Sequence, residues 1–266
     1  MCLLKKGIKP MSIDIYTYLI VCPLVFLSGF VDAIAGGGGL ISLPAYFISG
    51  LPSHLALGTN KLSAMMGTSL TTYRYAKLGY INFKRASLAI IFAFVGSSIG
   101  AKIALLIPDR EFKLNLMVLM PVVAIYLYRK KNFGLDLGNA MTGLKLLIVC
   151  AIISFIVGIY DGFYGAGSGT FLILAYCAIT RISVKDANGL TKANNFTTDF
   201  AAFLVFLYHG NVLWFLGITA SLFGLLGNYI GAKFFERKGA SGAKKIILVV
   251  LVLFIVKLGY DLFVKV

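Results

Sequence analysis

The sequence predicts an all-helical protein that crosses a membrane several times and is built from two related halves. Three observations carry this reading: a shortage of charge, a series of long apolar windows, and landmarks that recur at a nearly fixed offset. The shortage of charge decides the class. Only 13% of the 266 residues are charged and 59% are hydrophobic, whereas a soluble domain carries about 25% charged residues. A chain of this length could bury a large core, but it lacks the polar residues to cover that core in water. Windows at 13–35, 88–107, 114–128, 144–160, 213–230 and 246–264 carry few or no charges. Several approach the roughly 20 apolar residues that span a hydrocarbon core.

The repeat fixes the organisation. Gly29-Phe30-Val31-Asp32 aligns with Gly158-Ile159-Tyr160-Asp161, 129 positions later. Each Asp precedes a glycine-rich stretch, Gly36-Gly37-Gly38-Gly39 in one half and Gly165-Ala166-Gly167-Ser168-Gly169 in the other. Beyond these stretches the offset is 131: Gly58-Thr59-Asn60-Lys61 aligns with Gly189-Leu190-Thr191-Lys192, and Gly100-Ala101-Lys102 with Gly231-Ala232-Lys233. Apolar segments resemble one another by chance, but chance does not hold polar and glycine landmarks in register.

Each half reads as about five hydrophobic segments, giving eight to ten membrane helices: 13–35, 38–50, 57–76, 86–107 and 112–129, then 144–164, 168–180, 189–208, 212–234 and 244–264. The expected organisation is an N-terminal tail at 1–12, a first repeat at 13–131, a connecting loop at 132–143 and a second repeat at 144–266. The start, with Lys5, Lys6 and Lys9 before an apolar run, partly resembles a signal peptide. No small-residue cleavage site follows, so a retained first helix is expected. The second segment of each half is short and glycine-flanked, which points to discontinuous helices around a binding site.

Loop charge sets orientation. Arg74, Lys77, Lys84 and Arg85 follow the third segment, whereas the matching loop, His209-Gly210-Asn211, has no Lys or Arg. The next pair of loops reverses the bias, with Lys233, Arg237, Lys238, Lys244 and Lys245 in the second copy. Opposite biases in equivalent loops predict an inverted repeat. Lys5, Lys6 and Lys9 argue the other way, because inversion leaves the N-terminus outside.

The net charge of +15 follows from basic residues at segment ends. No basic helix or aromatic-basic platform is present, so nucleic acid is not an expected partner. The cysteines, Cys2, Cys22, Cys150 and Cys177, form no Cys-x-x-Cys pair, and with His54 and His209 as the only histidines a metal site is poorly supported. Neither a His-Glu-x-x-His nor a Gly-x-Ser-x-Gly motif occurs. The expectation is a protein without cofactor, metal or enzymatic activity.

Three features could carry function. The glycine runs break a helix, since Gly costs about 1 kcal/mol relative to Ala at each interior position. They expose amide N–H groups, and the helix that restarts aims a partial positive charge at the break. Gly36, Gly37, Gly38, Gly165, Gly167 and Ser168 are therefore candidate ligands of an anion or polar solute; close helix packing is the alternative. Asp32 and Asp161 sit in apolar sequence before the breaks. An ionisable residue in a membrane segment signals function, here proton coupling, or else a cap on the restarted helix. Lys61 and Lys192 hold matched positions beside Thr59 and Asn60, or Thr191, Asn194 and Asn195, with Thr68, Ser69, Thr71 and Thr72, or Thr197, Thr198 and Asp199, further along. Paired cations approaching the breaks suit an anionic substrate; snorkelling to the headgroups is the alternative. Gly96-x3-Gly100 and Gly227-x3-Gly231 read as packing motifs.

At these residues, Gly29 through Gly39 followed by Gly58-Thr59-Asn60-Lys61, together with the second copy, the sequence resembles the TauE/SafE family of sulfite exporter-like permeases over about 12–264. The resemblance implies a multi-pass protein of a bacterial or archaeal inner membrane, and secondary transport of sulfite, organosulfonates or related organic acids driven by an ion gradient. The second copy departs from the first: Ala166 and Ser168 interrupt the glycine run and Leu190 stands where the first half has Thr59. The expected partners are a small anion, the lipid bilayer, a coupling proton or cation, and a second copy of the chain. An anion channel and a non-transporting assembly subunit are the rival classes.

Overall fold

The computed structural model describes residues 14–115, 118, 119, 122 and 140–238. The N-terminal tail, most of the segment at 112–129, most of the connection and all of the segment at 244–264 lie outside the described residues. The first half supplies α1 (Ile15–Ala35), α2 (Gly39–Ile48), α3 (Ser53–Lys77) and α4 (Phe83–Leu106). The second supplies α5 (Gly143–Phe163), α6 (Ser168–Ala175, continued by a π turn over Tyr176–Thr180), α7 (Val184–Tyr208) and α8 (Trp214–Lys238). No strand occurs among the described residues.

Among the described residues four helices are long and apolar enough to cross a membrane: α1, α4 from Ala86, α5 and α8. Their outer faces show the spacing of a helix in lipid. Ile148, Ile152 and Ile156 on α5 and Ile218, Leu222 and Leu226 on α8 are exposed, each set recurring every four residues along one side. In water such a surface would be a liability; in a bilayer it is the solvated face. The chain is a multi-pass membrane protein. The remaining long helices, α3 and α7, have 25 residues each and differ in character. They hold most of the buried polar side chains, among them Asn60, Lys61, Thr68, Lys192, Asn195 and Asp199. They pack on each other in the interior, where the apolar helices shield them from lipid.

Contacts fix the directions. Phe206 lies beside Gly58, Asp199 meets Lys61, and Lys192 O accepts from Thr72 Oγ1, so α3 and α7 run antiparallel. Gly96 abuts Phe155 O and Gly100 abuts Ile159 O, while Gly162 abuts Ser97 O; α4 and α5 therefore run parallel at close range. The same contact recurs between α8 and α1, with Gly227 against Phe26 O and Gly231 against Phe30 O. Ser97 Oγ donates to Thr198 O at 2.6 Å and Thr71 Oγ1 to Asn228 Oδ1 at 2.7 Å, placing α4 on α7 and α8 on α3. Two three-helix groups result, α1/α3/α8 and α4/α5/α7. Each draws helices from both halves of the sequence.

The packing reading of the Gly-x3-Gly motifs is what the structure shows: no side chain fits where backbone meets backbone. At the mouth of α3, the Ser53 N–H donates to the Asp109 carboxylate, which also takes Lys113 Nζ at 2.8 Å. Burial pushes this carboxyl up, but the hydrogen bonds from Lys113 and Ser53 outweigh it and hold it at about 2, below its usual 3.8.

Two predictions follow from these contacts. Gly100→Ala drives a methyl into the Ile159 carbonyl and costs about 1–3 kcal/mol as overpacking, read as a lower unfolding temperature in detergent, whereas Gly224→Ala, with Val25 Cγ1 at 3.3 Å from the new methyl, costs less. Because the Asp109 carboxyl is depressed in the folded state, its contribution is present above pH of about 4 and lost as pH falls towards 2; Asp109→Asn flattens that part of the stability curve.

Candidate functional site

The site begins where helix is abandoned. α1 ends at Gly36, whose φ of 72° is left-handed and whose N–H closes on Asp32 O at 2.8 Å; glycine takes this conformation without strain. α6 starts after Gly167, with φ of 79°. The two breaks lie against each other. Thr170 N–H donates to Gly36 O at 3.1 Å and Thr170 Oγ1 to Ala35 O at 2.9 Å. A Cβ on Gly39 would stand 2.6 Å from Gly165 O, and one on Gly36 would enter the Gly169 backbone. The glycines thus serve close packing and also border a cavity.

That cavity holds about 50 Å³, room for a few water molecules. Gly36, Gly38, Gly39 and Gly165 of the two breaks line it, together with Asp32, Asn60, Lys61, Asp161, Ser168, Asn195 and Asp199, and Ser28, Ser42, Ser63, Thr68 and Asn228 are also in the wall. Lys61 is 2% exposed. Its ammonium donates to Asp161 Oδ2 at 2.7 Å and to Asp199 Oδ1 at 2.9 Å. Asp161 Oδ1 accepts from Ser168 Oγ. In the mirror arrangement Lys192 donates to Asp32 Oδ2 at 2.8 Å and to the Asp32 carbonyl. Each lysine therefore reaches into the other half of the sequence. Among the described residues the Oδ1 atoms of Asn60 and Asn195, residues that are each 5% exposed, are buried without a partner, as are those of Asn188 and Asn194 away from the cavity.

Most sequence candidates converge here. Asp32, Gly36, Gly38, Asn60, Lys61, Asp161, Gly165, Ser168 and Asn195 border the cavity. Six do not. Gly37 and Gly167 shape the breaks from outside the wall. Thr59 Oγ1 accepts from the Leu213 N–H at 3.0 Å, which ties the α7–α8 turn to α3. Thr191 is buried with its hydroxyl unpartnered. Lys192 lies behind Asp32. Asn194 donates to the Tyr176 hydroxyl and to Ser154 Oγ at 3.1 Å, a counterpart of the Tyr46–Ser63 bond at 2.9 Å in the first half.

Two alternatives that the sequence left open do not hold. The lysines do not snorkel: an unpaired buried charge is too costly to leave bare, and each is held by a carboxylate of the other half. Nor do Asp32 and Asp161 cap the restarted helices, since neither α2 nor α6 has a side-chain cap. Asp199 was legible only as a polar neighbour of Lys192. The available signal was its place seven residues after Lys192, two turns along one helix face, at the head of the apolar run 200–207.

The family profile described as sulfite exporter TauE/SafE matches residues 21–258. The chain belongs to the TauE/SafE family. A probable membrane transporter protein of Sinorhizobium sp., ORF9, is 34% identical over 236 residues, covering 89% of this chain and 90% of the relative. A probable membrane transporter protein of Haemophilus influenzae is 32% identical over 251 residues, covering 94% and 98%. The probable membrane transporter protein YfcA of Escherichia coli K12 is 30% identical over 239 residues, covering 90% and 88%. No solved structure matches the chain. As a TauE/SafE protein it is a membrane transporter, and its cavity lies where its two glycine breaks cross.

The pairing makes a quantitative prediction. Lys192→Met leaves the partly buried Asp32 carboxylate unpaired and costs at most about 3–5 kcal/mol, the range for a fully buried pair. Asp32→Asn/Lys192→Met removes both charges and recovers most of that loss, as measured by unfolding temperature in detergent.

Proposed function

We propose that this TauE/SafE protein is a secondary transporter for a small anion, of the class of sulfite, an organosulfonate or a related organic acid. The observation that carries the reading is the pair of residues Asn60 and Asn195, whose buried Oδ1 atoms have no hydrogen-bond partner among the described residues and which border one cavity. Buried polar groups are normally paired, so two orphans on one cavity mark a place for a ligand. The anion reading draws on Lys61 and on α2, which begins at Gly39 without a side-chain cap and borders the cavity; a helix N-terminus favours negative charge. The cavity volume favours a small oxyanion.

The two repeats, 13–131 and 144–266, are proposed to be inverted relative to each other. Antiparallel packing of α3 on α7 supports this, as do the parallel contacts of α4 with α5 and of α8 with α1, which leave equivalent helices pointing in opposite directions. Exchange of Lys61–Asp161 for Lys192–Asp32 supports it further. Alternating access then runs as rocking of α1/α3/α8 against α4/α5/α7, rather than of one sequence half against the other. A coupling ion and a homo-oligomer belong to the same proposal.

Flux of radiolabelled sulfite into proteoliposomes is the direct test. Saturable flux is expected; flux that rises without limit favours a channel, and no flux favours an assembly subunit. Asn60→Ala and Asn195→Ala each weaken apparent affinity about 10- to 100-fold, the equivalent of about 1.5–3 kcal/mol for a hydrogen bond to a charged ligand. Thermal stability of the unliganded protein stays level or rises in both, because neither Oδ1 atom has a protein partner to lose. Undiminished flux by Lys61→Ala/Lys192→Ala sinks the role given to the lysines.

A further inference from the structure

The charges at the centre do not balance. Among the described residues Lys61 and Lys192 are the cations, and Asp32, Asp161 and Asp199 are the carboxylates that contact them. The halves contribute unequally. Lys61–Asp161 and Lys192–Asp32 are the same pair in each half, but the first-half counterpart of Asp199 is Thr68, 131 positions earlier. The excess is thus one carboxylate, added to one side of an otherwise matched arrangement. With every group ionised the cluster carries one uncompensated negative charge away from water. An anion entering the cavity would meet that charge at short range and low dielectric, where repulsion is strongest.

We propose that Asp199 takes up one proton with each anion that binds, and so couples anion movement to a proton gradient. The proposal rests on the anion reading of the cavity. Among the three carboxylates, Asp161 has both oxygens occupied, by Lys61 and by Ser168. Asp32 has a lysine to itself. Asp199 shares Lys61 through Oδ1 and makes no other hydrogen bond among the described residues, while bordering the cavity together with Asn60 and Asn195 and their unpartnered Oδ1 atoms. The charged groups that act on it are Lys61 from α3, Asp161 from α5 and Asp32 from α1. Lys192 lies two turns away on α7 itself. α4 faces this part of α7 with Ser97, and the end of α6 faces it with Tyr176, which is bonded to Asn194.

A proton fits this position better than a metal ion. One free carboxylate oxygen is too few for a hard cation, which takes several oxygen ligands. The Lys61 ammonium, 2.9 Å from the other oxygen, would also repel a second cation. A proton adds to the carboxylate as an O–H bond, with no other bond made or broken. The neutral carboxyl can then donate that hydrogen to the anion. On the far side the O–H breaks, the proton passes to water, and the restored carboxylate helps expel the anion.

The test uses the full-length protein in lipid nanodiscs and needs no solute. Infrared difference spectra between high and low pH are expected to show a carboxylic-acid C=O band in the wild type that is lost in Asp199→Asn and shifted in Asp199→Glu. If Asp199→Asn fails to fold, Asp199→Thr, which restores the first-half residue, takes its place. A double difference, wild type minus Asp199→Asn, in which the bands of the other carboxyls cancel and no acid band remains, overturns the proposal. A second arm uses methanesulfonate, whose charge is constant with pH, in proteoliposomes. Inside-alkaline gradients are expected to drive its accumulation in the wild type and not in Asp199→Asn. Failure of the wild type to move any anion, with the infrared band present and lost in Asp199→Asn, would count against the transport reading while upholding Asp199 as the proton site.

Discussion

Two unwound peptide segments meet in the interior, and each satisfies the other: Thr170 gives its N–H to Gly36 O and its hydroxyl to Ala35 O. Backbone that leaves helical geometry inside a membrane has no water to turn to, and is tolerated only against protein or a cavity. Everything around this crossing follows from that constraint. The residues at the contact must lack side chains, which accounts for Gly36, Gly39, Gly165 and Gly169. The helices that end there must turn abruptly, which requires left-handed backbone at Gly36 and Gly167. The small space left beside the crossing is bordered by main chain that cannot be filled by a larger residue, and so the cavity is a by-product of the way the breaks are closed.

The polar helices are the second consequence. α3 and α7 could not face lipid along their whole length, since between them they carry lysines, asparagines and two aspartates. The close contacts of α4 with α5 and of α8 with α1 bring apolar pairs tightly together by means of small residues. Those pairs cover the outside and leave α3 and α7 the middle. The ion pairs then lock the middle across the repeat: Lys61 is held by two residues of the second half, Lys192 by one of the first. Such pairs add little net stability against an apolar alternative, but breaking one is costly. Their effect is to specify which helix faces which.

Much of this was legible in the sequence. Composition required a membrane protein, and the glycine, lysine and aspartate landmarks at matched offsets marked the breaks and their surroundings before any contact was known. Legibility ended at helix rotation and at long-range pairing. Thr59 and Asn60 are adjacent in sequence, yet about 100° of rotation separates neighbouring residues on a helix; Asn60 borders the cavity and Thr59 binds the turn before α8. Lys192 seemed equivalent to Lys61 and does pair with the matching aspartate of the other half, but only Lys61 lines the cavity and takes a second carboxylate, Asp199, where the first half carries Thr68. The apolar character assigned to the third segments was an average over a face that touches neighbours and a face that holds charge. No local pattern could reveal that the partners of Lys61 come 100 and 138 residues later.

That separation bears on biosynthesis. A ribosome adding about 5–20 residues per second delivers α3 to the membrane several seconds before Asp161 exists and longer before Asp199 does. The bare glycine face of α1 waits longer still, since its partner α8 is the last described helix to emerge. Half-made chains therefore hold an uncompensated ammonium and unmatched backbone surfaces that only the closing stages of translation can cover. A truncated product of this gene would be conspicuous to a membrane protease for the same reason that the finished protein is not.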